Sequence, residues 1–270
     1  HLMKAVCLKA PQQVEQVDIP VPKIEDDQLL IKMGASTICT SDLNDIRSNP
    51  FDIPLPVIIG HEAAGTVVEV GAKVEGFVVG DRVTTHPVHP CGACAACLDG
   101  MQHLCLDMGH FGINLQGTMA EYFYVRQDRV RHIPDEMDFP LAALAEPVSV
   151  CLEALAQAKL KPGHALLIIG DGPFGVLMAR LARTMGLSQV VIAGWQDFRL
   201  SFASSAQTVN TQNLPDPVTT LMQHQSGAGY DAVILAVGSA QAFQQGLQCL
   251  KPKGRLVVFS AIPDATGVDL

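Results

Sequence analysis

The sequence predicts an α/β chain in two parts: a barrel- or sandwich-like series of β-strands over residues 1–147, then a doubly wound parallel sheet over 148–270. Three observations carry this expectation. From Lys4 to about Pro140, short alternating or apolar runs are broken by Pro and Gly turns, a spacing that suits β structure with few helices. From about Val148, Ala-rich helical stretches alternate with apolar runs of strand length, as in βαβ units. Where the first of those runs meets a helical stretch stands Gly170-Asp171-Gly172-Pro173-Phe174-Gly175, a glycine loop at a strand-to-helix junction.

In the first half, strands are expected from Lys4 to Leu8, Gln28 to Met33, Gly65 to Val70 and Arg82 to Thr84, with Gly80-Asp81 as a turn entering the last. In the second half they are expected from Ala165 to Ile169, Gln189 to Ala193, Gln207 to Asn210, Asp231 to Ala236 and Arg255 to Phe259, with a helix from Val176 to Met185.

With 270 residues, 48% of them hydrophobic, the chain can bury a large core in one big domain or two ordinary ones. A net charge of −9 offers no basic surface to neutralise phosphate backbones, so a nucleic-acid partner is not expected. No apolar run approaches the roughly 18 residues of a membrane span and no signal peptide is visible, so neither membrane nor export is expected and the location is read as cytoplasmic. His1-Leu2 before Met3 reads as the scar of a tag. Eight cysteines in such a chain argue for metal chemistry or buried thiols over disulfides, and Cys7, Cys151 and Cys249 read as core residues.

Cys91, Cys94, Cys97 and Cys105 form a C-x2-C-x2-C-x7-C series, which can wrap four thiolates around one tetrahedral zinc ion in a closed, structural site. Disulfides would crowd adjacent pairs into one small turn. With four sulfurs in place, His86, His89 and His103 read as surface histidines. A second donor set lies elsewhere: Cys39 in a small polar turn, the adjacent pair His61-Glu62, and Glu146. Sulfur, nitrogen and carboxylate oxygen suit a catalytic zinc with three protein ligands and an open position. Cys39, His61 and Glu146 are the expected ligands, with Glu62 an inner ligand or an exchange partner, and the choice between the carboxylates is open. Asp42 is expected to orient the histidine.

In the glycine loop, Gly170, Gly172, Pro173, Phe174 and Gly175 are expected to form the tight turn and helix N-terminus on which a dinucleotide pyrophosphate rests. At the end of the second strand, where a carboxylate usually binds the ribose hydroxyls, stands Gly194. Arg199 nearby favours NADP, whereas Asp197 could serve NAD, so the cofactor is read as NAD or NADP. Trp195 is a packed or exposed aromatic or an adenine stacker.

Taken in order, Cys39-Thr40-Ser41-Asp42, Gly60-His61-Glu62, the four cysteines, Ala145-Glu146-Pro147 and the glycine loop make this chain resemble the zinc-dependent medium-chain alcohol and polyol dehydrogenases over almost its whole length, with Ala145 to Val150 most like the sorbitol dehydrogenase branch. The resemblance implies a GroES-like catalytic domain over 1–147, with a zinc lobe at about 86–110, and a Rossmann domain over 148–270. It implies two zinc sites and NAD(P)-linked oxidation of a secondary alcohol, in particular a polyol, sugar acid or vicinal diol, with hydride passing to nicotinamide. It gives Ser41 the place of a residue that passes the substrate proton outward, puts Asn44 where some relatives carry a relay histidine, and makes Gly117 to Tyr122 a turn back toward the barrel. His110 to Leu115 would shape the substrate side, and a homo-oligomer, dimer or tetramer, is implied. Against the family, a spacer is short near 199–207 and the chain stops at Leu270 soon after the fifth strand, so the sequence is expected to be part of a longer polypeptide. The alternative is a non-catalytic dinucleotide-binding or redox-sensing relative with structural zinc only.

Overall fold

The computed structural model describes residues 1–225 and 227–262, and the chain divides into two compact units, His1–Glu146 and Pro147–Leu270. Among the described residues no helix is long and apolar enough to cross a membrane.

The first unit holds strands β1 (Leu2–Ala10), β2 (Gln13–Pro20), β3 (Gln28–Thr37), β4 (Val57–Ile58), β5 (Glu62–Val70), β6 (Arg82–Thr85), β7 (Val88–His89), β8 (Gly109–His110), β9 (Tyr122–Arg126) and β10 (Val130–His132). Its helices are α1 (Thr40–Ser48), α2 (Ala95–Leu98) and α3 (Phe139–Ala143), while α4 (Ala145–Gln157) starts here and runs into the second unit. The larger sheet has the order β10-β6-β5-β3-β9 and the smaller β2-β1-β4. Glu121 joins them, its amide donating to the Lys4 carbonyl and its carbonyl accepting the Met33 amide. Alternation along the strands turns Leu29, Ile31, Val67, Val83, Phe123 and Val125 into one buried cluster, each such side chain contributing about 1.5–3 kcal/mol when fully buried.

The β3–β5 register decides where the chemistry lies. It pairs Leu29 with Val70 at one end and Thr37 with Glu62 at the other, so the segment leaving β3 (Ile38, Cys39) and the segment entering β5 (Gly60, His61) emerge side by side. The Gly117 turn clamps the second segment: the amides of Gly117, Thr118 and Met119 donate to the carbonyls of Ile58, Gly60 and Ile59. A Cβ on Gly117 would lie 2.4 Å from the Ile59 carbonyl oxygen, so only glycine permits this approach.

The second unit carries β11 (Ala165–Ile169), α5 (Pro173–Ala182), β12 (Gln189–Gly194), α6 (Asp197–Ser201), β13 (Gln207–Asn210), α7 (Pro217–His224), β14 (Tyr230–Leu235), α8 (Ala240–Cys249) and β15 (Leu250–Val258). All strand pairs are parallel in the order β13-β12-β11-β14-β15. Central β11 is buried on both faces, Leu166 and Ile168 toward one core and Ala165, Leu167 and Ile169 toward the other, which is why it reads as an unbroken apolar run. The strand order reverses between β11 and β14, where parallel sheets open a ligand crevice at the carboxyl ends of the strands.

The structure departs from expectation in several places. The glycine-loop helix begins at Pro173, whose fixed φ suits the first helical turn. The stretch expected to lack a spacer is bridged by short α6 and a turn, with Phe202, Ala203 and Ala206 amides donating to the carbonyls of Arg199, Leu200 and Ala203. The fifth strand starts at Leu250, earlier than Arg255, because a register shift between Tyr230 and Ala232 absorbs Lys251 to Gly254. Residues 263–270, on which the expected continuation depends, lie outside the described residues.

Candidate metal centre and dinucleotide cradle

Cys39 does not lie in a turn, as expected, but caps the N-terminus of α1 in an extended conformation. Asp42, one turn on, accepts the Cys39 amide at 2.8 Å. The helix end favours a thiolate at this position. The same Asp42 presents its other oxygen 3.5 Å from His61 Nδ1, leaving Nε2 on the far side of the ring, 3.9 Å from Glu62 Oε1. Thr37 Oγ1 donates to the second oxygen of Glu62. One sulfur, one nitrogen and one oxygen, from Cys39, His61 and Glu62, thus lie within 4.8 Å of one another.

Glu146, in the first turn of α4, stands outside that trio. Its carboxyl is nonetheless in the same field: burial pushes it up to about 7, with His61 opposing and Glu62 and Asp42 adding to the shift. Burial of His61 works against its protonation, yet the Asp42 carboxylate and the Cys39 sulfur overcome it and hold the ring up to about 10. Asp45 Oδ1 is buried with no hydrogen-bond partner among the described residues, and burial followed by Asp42 raises its carboxyl. Buried acid groups, a sulfur and an imidazole therefore converge where, among the described residues, no lysine or arginine lines the adjoining pocket. This is the donor set and the electrostatics a divalent zinc ion requires, and the residues fit that ion.

The pocket, of about 480 Å³, is lined by Ser41, Asp42, Asp45, Asp52, His61, His110 and Asn114 together with apolar Phe51 and Ile53. Ser41 and, from the segment expected to shape the substrate side, His110, Gly112, Ile113 and Asn114 line this pocket together with His61.

Cys91, Cys94, Cys97 and Cys105 also bring their sulfurs within 4.8 Å of one another. Backbone amides point at them: Cys91 Sγ accepts from Ala93 and Cys94 at 3.5 and 3.4 Å, and Cys105 Sγ from Cys91 at 3.2 Å. Amide donors from Leu106 and Cys97 bring the Cys94 thiol down to about 6. Burial instead pushes the Cys97 thiol up. Four sulfurs gathered this closely, none in a disulfide, fit a closed zinc site. His86 and His103 are exposed, but His89, expected at the surface, is buried edge-on against Phe111 at 4.7 Å, and burial and then Arg126 depress its imidazole to about 4.

In the second unit the glycine loop closes tightly. Gly170 has φ +123°, and a Cβ there would meet the Ala236 carbonyl carbon at 2.8 Å, so the loops after β11 and β14 abut at the crevice. A Cβ on Gly175 would lie 1.9 Å from the Gly170 carbonyl oxygen, fixing α5 against the loop, whereas one on Gly172 would meet nothing within 4 Å and face open space. That open face at a helix N-terminus has the form that suits a pyrophosphate, and the loop fits a dinucleotide. A pocket of about 450 Å³ continues from Gly170 and Asp171 past Gly194, Trp195, Gln196 and Arg199 to Thr211, Val237 and Ser239. Trp195 is exposed, and Asp197 is engaged with Asn210 Nδ2 at 2.6 Å.

The alcohol dehydrogenase GroES-like domain family matches residues 25–135, and the zinc-binding dehydrogenase family matches 173–270. A sorbitol dehydrogenase of Bacillus subtilis (strain 168) is 33% identical over 95% of this chain and 74% of its own length. The chain belongs to the zinc-dependent medium-chain alcohol and polyol dehydrogenases. An L-threonine 3-dehydrogenase of Chromobacterium violaceum is 30% identical over 99% of this chain and 80% of its own. A protein described as a zinc-binding dehydrogenase from Sinorhizobium meliloti 1021, solved with NADP bound, superposes with a TM-score of 0.92 at 30% identity, over 100% of this chain and 80% of that one.

This dehydrogenase therefore has the GroES-like and Rossmann folds, and zinc and a nicotinamide dinucleotide are its cofactors. Three of its polar residues were invisible to sequence reasoning. Thr37 was the end of a strand, and only the β3–β5 pairing puts its hydroxyl on Glu62. Asp45 lies one helical turn beyond Asp42, a spacing that would have placed both on one face had α1 been foreseen. Asp171 sat unremarked inside the glycine loop.

Proposed function

We propose that this dehydrogenase oxidises a neutral polyol or vicinal diol, with NAD(P) as hydride acceptor and Cys39, His61 and a carboxylate from Glu62 or Glu146 as ligands of the zinc that binds the substrate. When bound, zinc supplies the Lewis acid that polarises the substrate hydroxyl, and the nicotinamide supplies the hydride acceptor.

Each residue has its part. Asp42 faces Nδ1 of His61 and keeps a proton there, so Nε2 is the nitrogen whose proton a bound zinc would displace. Thr37 holds one oxygen of Glu62, and the other faces His61 Nε2 at 3.9 Å. Glu146, close to neutrality by virtue of burial, is the carboxylate best able to exchange with Glu62. Ser41 receives the proton of the substrate hydroxyl and passes it outward.

The observation that carries the substrate class is the pocket: Asp45, Asp52, Asn114 and His110 offer hydrogen-bond acceptors to additional hydroxyls, and the absence of lysine and arginine among the described lining residues disfavours the carboxylate of a sugar acid. Steady-state oxidation of sorbitol, xylitol, 2,3-butanediol, L-threonine, gluconate and ethanol by the zinc-loaded protein tests it, followed by reduced-nicotinamide absorbance. Polyols or the diol should give the highest kcat/KM; a preference for gluconate or ethanol would refute the substrate assignment.

A further inference from the structure

Gly194 ends β12 without the carboxylate that would meet the adenosine ribose, but the space above it is occupied. A Cβ on Gly194 would lie 2.4 Å from the Asp171 side chain. Asp171, the residue between the first two glycines of the loop, folds its carboxylate across the end of β12, where one oxygen, Oδ2, accepts the Trp195 amide at 2.9 Å and the Gln196 amide at 2.7 Å. The side chain is buried and lines the same pocket as Gly194, Gln196 and Arg199.

We infer that Asp171 is the residue that selects NAD over NADP in this dehydrogenase, a deduction that rests on the dinucleotide reading of the pocket. Two effects act together. Its negative charge stands where the carboxylate of β12 is missing, so a 2′-phosphate meets electrostatic repulsion while ribose hydroxyls meet an acceptor. Its Oδ2 also takes the two backbone donors that follow β12, which a phosphate would otherwise need to replace its lost water. Arg199 is exposed on the same rim, where solvent screens its attraction for a phosphate. Glycine at 194 is then explained without reference to the phosphate: any larger side chain would displace Asp171.

The test is calorimetric titration of the zinc-loaded, full-length protein with NAD and with NADP, repeated on Asp171→Asn, which keeps an oxygen for the two amides but removes the charge, and on Asp171→Ser. The wild type should bind NAD at least about tenfold more tightly than NADP, and the ratio should fall about tenfold or more in Asp171→Asn. Because the wild-type ratio is read without any variant, a poorly folded substitution does not remove the test. Equal affinity, tighter binding of NADP, or a ratio unmoved in a folded Asp171→Asn overturns the role of Asp171 and leaves the dehydrogenase reading intact. Binding of neither dinucleotide overturns both.

Discussion

Asp42 and His61 are joined by a 3.5 Å contact between Oδ1 and Nδ1, while the second oxygen of the same carboxylate holds the Cys39 amide at 2.8 Å. One side chain at the start of α1 thus aligns two donors that are 22 positions apart in sequence order, Cys39 and His61. Replacing it should loosen the metal without unfolding the strands that present it.

Asp42→Ala is expected to lower zinc affinity at the Cys39/His61 site by about 10- to 100-fold, the usual range for losing a carboxylate behind a ligating histidine. Competition with a chromophoric chelator measures this directly, and the zinc of the four-cysteine lobe should stay bound. Unchanged affinity would mean that Asp42 serves only to cap α1.

Cys97→Ser breaks the four-sulfur set at its most buried member, in α2. Elemental analysis should show one zinc fewer per chain, with the thermal midpoint lower by at least about 5 °C, since loss of a structural ion removes folding free energy. Chelation should reproduce the shift in the wild type and add little in the variant.

Gly175→Ala would drive a Cβ to within 1.9 Å of the Gly170 carbonyl oxygen, which is backbone and cannot step aside cheaply. A loss of about 1–3 kcal/mol in urea unfolding is expected, as for overpacking generally, together with weaker dinucleotide binding. Gly172→Ala, whose Cβ meets nothing, should be nearly silent in unfolding yet still weaken the dinucleotide.

Asp128 receives Arg126 at 2.8 Å and Arg129 at 2.9 Å. Burial raises its carboxyl, but the two guanidinium groups outweigh this and bring it down to about 2. A folded value below the unfolded one, near 3.8, means stability that is present above about pH 4 and lost as pH falls toward 2. The carboxylate is partly exposed, so solvent limits the effect to about 1 kcal/mol or less. Urea unfolding at pH 7, 4 and 3 should show a shallower acid loss in Asp128→Asn than in the wild type.

Much of this architecture could be read from the residues. The unbroken apolar run Ala165–Ile169 and the glycine loop after it are local signals, and each fell where a buried parallel strand and its helix lie. The clustering of the four cysteines was equally legible, because Cys91, Cys94, Cys97 and Cys105 are close in sequence. The start of α1 was not: Thr40 to Asn44 has a single apolar residue, so no helical stripe announces it, although the Asp42 that returns to cap Cys39 was a usable sign. His89 gave no local cue, since its burial comes from Phe111. Asp171 was unreadable for the same reason: its partners, Trp195 and Gln196, become neighbours only when β11 and β12 pair.

The central claim is that Cys39 and His61, completed by Glu62 or Glu146, hold a zinc ion distinct from the one in the cysteine lobe. Anomalous diffraction at the zinc edge from crystals of the zinc-loaded protein tests it most directly. The account predicts two peaks per chain, one enclosed by the sulfurs of Cys91, Cys94, Cys97 and Cys105 and one bounded by Cys39 Sγ, His61 Nε2 and a carboxylate oxygen. A peak in the cysteine lobe with none beside Cys39 and His61 would contradict it.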